Sequence, residues 1–68
     1  MPYVNVRVAK EETTAEKKAE LIEEITQLLA RVLGKNPEST NVVIDEVDPE
    51  NWGVGGKTIQ KIRAEKAA

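Results

Sequence analysis

Alternation opens the chain. Tyr3-Val4-Asn5-Val6-Arg7-Val8 turns Val4, Val6 and Val8 one way and Tyr3, Asn5 and Arg7 the other, which predicts a strand over residues 3–8. A polar loop from Ala9 to Thr14 follows, and then the period changes. Leu21, Ile22, Ile25, Leu28, Leu29, Val32 and Leu33 recur at spacings of three and four, predicting one long helix over about residues 14–33 with a single apolar stripe. Glu16, Lys17, Glu20, Glu23, Glu24, Gln27 and Arg31 fill its other faces as solvated surface. Thr13, followed three residues later by Glu16, fits a capping box at the helix start. Gly34 suits a left-handed helix end, and Pro37 bars continuation. A second strand is expected over residues 41–47, around the apolar run Val42-Val43-Ile44.

Strand, helix and strand in this order form a β-α-β unit, whose strands are parallel and whose crossover is right-handed. The helix covers one face of such a sheet. No segment is left to cover the other, so a partner is expected there. Asp48-Pro49-Glu50-Asn51 reads as a turn, and Gly53-Val54-Gly55-Gly56 as a tight glycine hairpin. Thr58 to Ala68 reads as a short charged helical tail. The expected fold class is therefore α/β (α+β): a single domain over residues 1–68, built as one β-α-β unit with parallel strands plus a C-terminal β-hairpin, oligomerising through the sheet.

Composition narrows the chemistry. With 68 residues, no cysteine and no histidine, the chain has neither disulfide staples nor imidazole and thiolate ligands for zinc. Association with copies of itself is the remaining route to stability for so short a chain. Interspersed charges summing to −2 give no electrostatic footprint for nucleic acid. No apolar run approaches the roughly 20 residues that cross a bilayer, and no signal peptide is visible, so a cytoplasmic location is expected.

Gly55-Gly56-Lys57-Thr58 looks like the end of a phosphate-binding loop, but the pattern needs a glycine where Asn51 stands. Asp45 and Glu46 are neighbours on a strand and face opposite sides, so they cannot share a proton as a catalytic pair would. Lys57, Lys61, Arg63 and Lys66 form a mildly basic tail that reads as solvated surface. Trp52 suits either a plug at an interface or an apolar pocket wall. Pro2 is the unusual position. An initiator methionine ahead of a small residue is usually clipped, which would leave a secondary amine at the start of a strand. In a chain without histidine or cysteine, that nitrogen is one of very few groups able to exchange protons near neutral pH.

Pro2 taken with Asn51-Trp52-Gly53-Val54-Gly55-Gly56 resembles the 4-oxalocrotonate tautomerase family, across nearly the whole chain. The resemblance implies a homohexamer, a trimer of dimers in which paired β-α-β units make four-stranded sheets. It implies a cofactor-independent isomerase of the kind met in aromatic degradation. Its substrate would be a conjugated 2-hydroxy or 2-oxo acid such as 2-hydroxymuconate, with a proton moved between the third and fifth carbons. Pro2 nitrogen would be general base and then general acid, and Trp52 would line the pocket. Family members bind substrate carboxylates with one arginine in the loop after the first strand and another at the start of the second. Here that loop is Ala9-Lys10-Glu11-Glu12-Thr13-Thr14 and the strand position is Asn41. Lys10 stands in as a point charge and Asn41 as a hydrogen-bond donor. A role for Arg7, on the first strand, would depend on a neighbouring subunit. The same scaffold leaves two alternatives: a hydratase or dehalogenase acting on unsaturated acids, and a non-catalytic assembly subunit.

Overall fold

The computed structural model describes residues 2–67. Met1, whose removal would free the Pro2 nitrogen, and Ala68, the last residue of the expected tail, lie outside the described residues. The order is β1 (Tyr3–Ala9), α1 (Ala15–Leu33), a 3-10 turn at Pro37–Ser39, and β2 (Asn41–Val47). A second 3-10 turn at Pro49–Asn51 leads to β3 (Gly53–Val54), β4 (Lys57–Thr58) and α2 (Ile59–Ala67).

β1 and β2 pair in parallel, from Tyr3 opposite Asn41 to Ala9 opposite Val47. Every even position of the two strands thereby shares a face: Val4 with Val42, Val6 with Ile44, Val8 with Glu46. That face receives α1, as the Lys18–Glu46 ion pair between helix and strand shows. The opposite face carries Tyr3, Asn5 and Arg7 with Asn41, Val43 and Asp45. Adjacent Asp45 and Glu46 do point to opposite sides, the first toward Arg7 and the second toward Lys18. β3 and β4 form the expected hairpin, and its two corner residues, Gly55 (φ 60°) and Gly56 (φ 83°), take the left-handed conformation such a turn requires.

Three boundaries differ from expectation, the simplest being that Thr58 belongs to β4, so the C-terminal helix starts at Ile59. β1 runs one residue further, to Ala9, because the ladder continues until Lys10 N–H donates to the Val47 carbonyl at 2.7 Å. The helix cap is Thr14 and not Thr13. Thr14 Oγ1 accepts from the Lys17 N–H at 3.1 Å, whereas Thr13 N–H is turned back onto the Glu11 carbonyl at 2.8 Å. The residue three beyond the true cap is Lys17, so there is no reciprocal carboxylate and the capping box is not formed. At the other end Gly34 is left-handed (φ 67°), and its N–H reaches the Ala30 carbonyl at 3.0 Å.

No side chain among the described residues is fully enclosed. Val32 and Leu33 at the end of α1 are about three-fifths exposed, at 62% and 60%, and Tyr3 on the open sheet face is 64% exposed. The surface, 5361 Å², exceeds the roughly 4,250 Å² expected for a folded monomer of 7.5 kDa. The radius of gyration, 15.5 Å, likewise exceeds the roughly 11 Å of a compact domain this long. The excess area is larger than the roughly 800 Å² that one partner contributes to a standard interface. The elements are formed; the interior that would normally hold them is not.

Candidate active site

The sheet places the candidate residues at its two ends. At the start of the strands, the Pro2 carbonyl accepts from the Asn41 N–H at 2.9 Å, so the half-buried Pro2 is tied to the first residue of β2. The turn before β2 holds Asn41 in turn. Asn36 Oδ1 accepts from Glu38 N–H at 3.0 Å, while the Asn36 carbonyl accepts from Thr40 Oγ1 at 2.9 Å. Asn41 Nδ2 donates to the Ser39 carbonyl at 3.3 Å. Pro2 and Asn41 are thus brought together by parallel register, across 39 positions of sequence.

Lys10, Arg7 and Trp52 gather at the other end. At roughly 3.3 Å per residue, Lys10 lies about 26 Å along the strand direction from Pro2. Arg7 reaches Asp45 at 3.5 Å on the open face, where Asn5 Nδ2 also donates to Asp45 at 2.8 Å. Lys10 is exposed, and its carbonyl accepts from Arg63 on α2 at 3.0 Å. The second guanidinium nitrogen of Arg63 holds Glu11 at 3.0 Å, so α2 pins the loop between β1 and α1. Trp52 is half-buried, its carbonyl accepting from the Ile59 N–H at 2.8 Å where α2 begins.

Between the first turns of α1 and the end of the sheet lies a cavity of about 430 Å³. Its apolar wall comes from Val6, Val8, Ala9, Leu21, Ile44 and Trp52, and its polar rim includes Arg7, Glu11, Lys17, Lys18 and Glu46. The volume falls in the range of small-molecule pockets. Trp52 forms part of this wall, one of the two roles its sequence position left open. Of the five candidates only Arg7 and Trp52 border the cavity; Pro2, Asn41 and Lys10 are not among the lining residues, so a single chain does not unite them. Lys17, Lys18 and Glu11 are not singled out by sequence, and Glu46 is weighed there only as a carboxylate pair with Asp45. Their only signal was position: Lys17 and Lys18 fall within one turn of Leu21, on the helix side nearest the strand ends.

The sequence model described as tautomerase enzyme matches residues 2–62. A protein of Dickeya dadantii named "Probable tautomerase K2" is 52% identical over 63 residues, covering 93% of this chain and 94% of that protein. The 2-hydroxymuconate tautomerase of Pseudomonas putida is 34% identical over 62 residues, covering 91% and 97%. The crystal structure of DmpI from Helicobacter pylori superposes with a TM-score of 0.85 at 40% identity, covering 93% of this chain and 97% of that one.

Proposed function

The chain belongs to the tautomerase family, and on that premise we propose that it moves a proton within a conjugated 2-hydroxy or 2-oxo acid, with the Pro2 nitrogen as base and then acid. The observation that carries this is the bond between the Pro2 carbonyl and the Asn41 N–H. It anchors the first ring of the mature chain to a strand, which fixes the direction of the nitrogen without using it. An α-amino group ordinarily titrates near about 7.7–8.0, and apolar surroundings lower that value toward operating pH. In the forward step the neutral nitrogen accepts the proton of the enol hydroxyl as the 2-oxo group forms. The resulting ammonium then returns a proton to the far carbon of the conjugated system, leaving the nitrogen neutral again. No cofactor is required by this cycle.

A second copy completes the site in this proposal. Among the described residues β1 pairs only with β2, so its outer edge is open to another strand. Two units joined antiparallel at that edge place Pro2 of one beside Ala9 and Lys10 of the other, which cancels the separation along one strand. Such a dimer supports the reading of a hexameric trimer of dimers with four-stranded sheets. Lys10 and Asn41 would then bind the acid and carbonyl groups, joined by Arg7 only where a neighbouring subunit draws it from Asp45, and Trp52 would wall the pocket. The related 2-hydroxymuconate tautomerase makes 2-hydroxymuconate the first substrate to assay.

The test is Pro2→Ala in the methionine-free protein, followed by ultraviolet absorbance of the enol. The primary amine of alanine is placed and tuned differently from the ring nitrogen, which predicts a heavy fall in kcat/KM, of about 100-fold, the low end of what general acid–base catalysis contributes. A variant that keeps wild-type turnover would remove Pro2 from the mechanism.

A further inference from the structure

The charged rim of the cavity is almost wholly self-neutralised, and the exception is informative. Lys18 pairs with Glu46, Arg7 with Asp45, and Glu11 with Arg63. Lys17 borders the same cavity and has no carboxylate partner among the described residues. Its backbone is fixed by the bond from its N–H to Thr14 Oγ1, so the side chain starts from a defined point one turn from Leu21. Every other charge on the rim belongs to a pair, which leaves the cavity with one uncompensated positive charge beside an aliphatic and indole wall.

We propose that Lys17 is a specificity-determining residue, and that the cavity takes an acid with one carboxylate and an apolar, ring-sized body in preference to a dicarboxylate. This rests on the tautomerase reading and narrows its substrate class. A single carboxylate meets Lys17 while the body of the molecule lies against Trp52, Val8 and Ile44. A dianion would bring its second charge toward Glu11 or Glu46, whose cations are already engaged. Sequence alone placed Lys17 among the solvated charges of α1. The fold changes that assignment because the first turn of the helix borders the cavity at the end of the sheet.

Trp52 is the one tryptophan in the chain, so binding at this wall can be followed directly by its fluorescence. The wild-type protein would be titrated with phenylpropionate, phenylpropionamide and adipate, and the series repeated with Lys17→Met and Lys17→Arg. The monoacid should bind about three- to fivefold more tightly than its amide, the scale of one solvent-exposed ion pair, and more tightly than adipate. Lys17→Met should bring the acid down to the level of the amide and leave the amide unmoved. Lys17→Arg should restore the preference, and added salt should weaken it. Equal acid affinity in wild type and Lys17→Met, or tighter binding of adipate than of phenylpropionate, would overturn the assignment. In turnover of phenylenolpyruvate the loss should fall on KM. If the wild-type protein turned over no enol at all, the tautomerase reading would fail, while the fluorescence series would still decide the role of Lys17.

Discussion

Val43→Lys tests whether the open face of the sheet is covered in the working protein. Val43 lies on that face with Asn5 and Asp45 as neighbours and is 40% exposed in the single chain. If the chain worked alone, a lysine there would project into water beside Asp45 and change stability by no more than about 0.5 kcal/mol. If a second copy covers the face, two losses combine. The two-fifths of the valine surface still exposed accounts for about 0.6–1.2 kcal/mol of the 1.5–3 kcal/mol that full burial of such a side chain contributes. An ammonium trapped there, beside an Asp45 already held by Arg7 and Asn5, costs several kcal/mol more. The covered case therefore predicts at least about 3 kcal/mol per subunit, several times the exposed case. Sedimentation velocity and urea unfolding at two protein concentrations, for wild type and variant, would read the difference. The wild type should sediment well above 7.5 kDa and unfold at a higher midpoint when more concentrated; the variant should dissociate. A Val43→Lys chain with wild-type mass and midpoint would refute the reasoning.

Two further outcomes follow. Thr14→Ala removes the side-chain acceptor of the Lys17 N–H and should lower stability by about 1 kcal/mol in equilibrium unfolding, whereas Thr13→Ala should leave it nearly unchanged. The kcat/KM of the mature wild type should rise with pH through the titration of the Pro2 amine and then level, since only the neutral nitrogen can accept a proton; a rate falling across that range would count against Pro2 as the base.

Local periodicity made the β-α-β order legible, because Val4, Val6 and Val8 alternate while Leu21 to Leu33 follow the helical repeat. Gly34 and the Gly55-Gly56 corner were legible for a related reason: the backbone there needs positive φ, and glycine supplies it without strain. The cap is ambiguous in sequence, since two adjacent threonines carry the same chemistry and only the turn from Glu11 to Thr13 decides between them. The site was harder to read. That Pro2 meets Asn41 depends on strand register, and that Arg63 grips Lys10 and Glu11 depends on how the last helix returns across the loop. Lys17 looked like any other charge on a wet helix face, because no local pattern records which end of a sheet a helix turn overlooks.

The separation of Pro2 from Trp52 along one pair of strands has a genetic consequence. Under the proposed arrangement each polypeptide lends its ring nitrogen to one catalytic centre and its indole to another. Two inactive alleles, one damaged at the amino end and one damaged near Trp52, could then rescue each other when co-expressed, because mixed rings would contain some centres inheriting neither lesion.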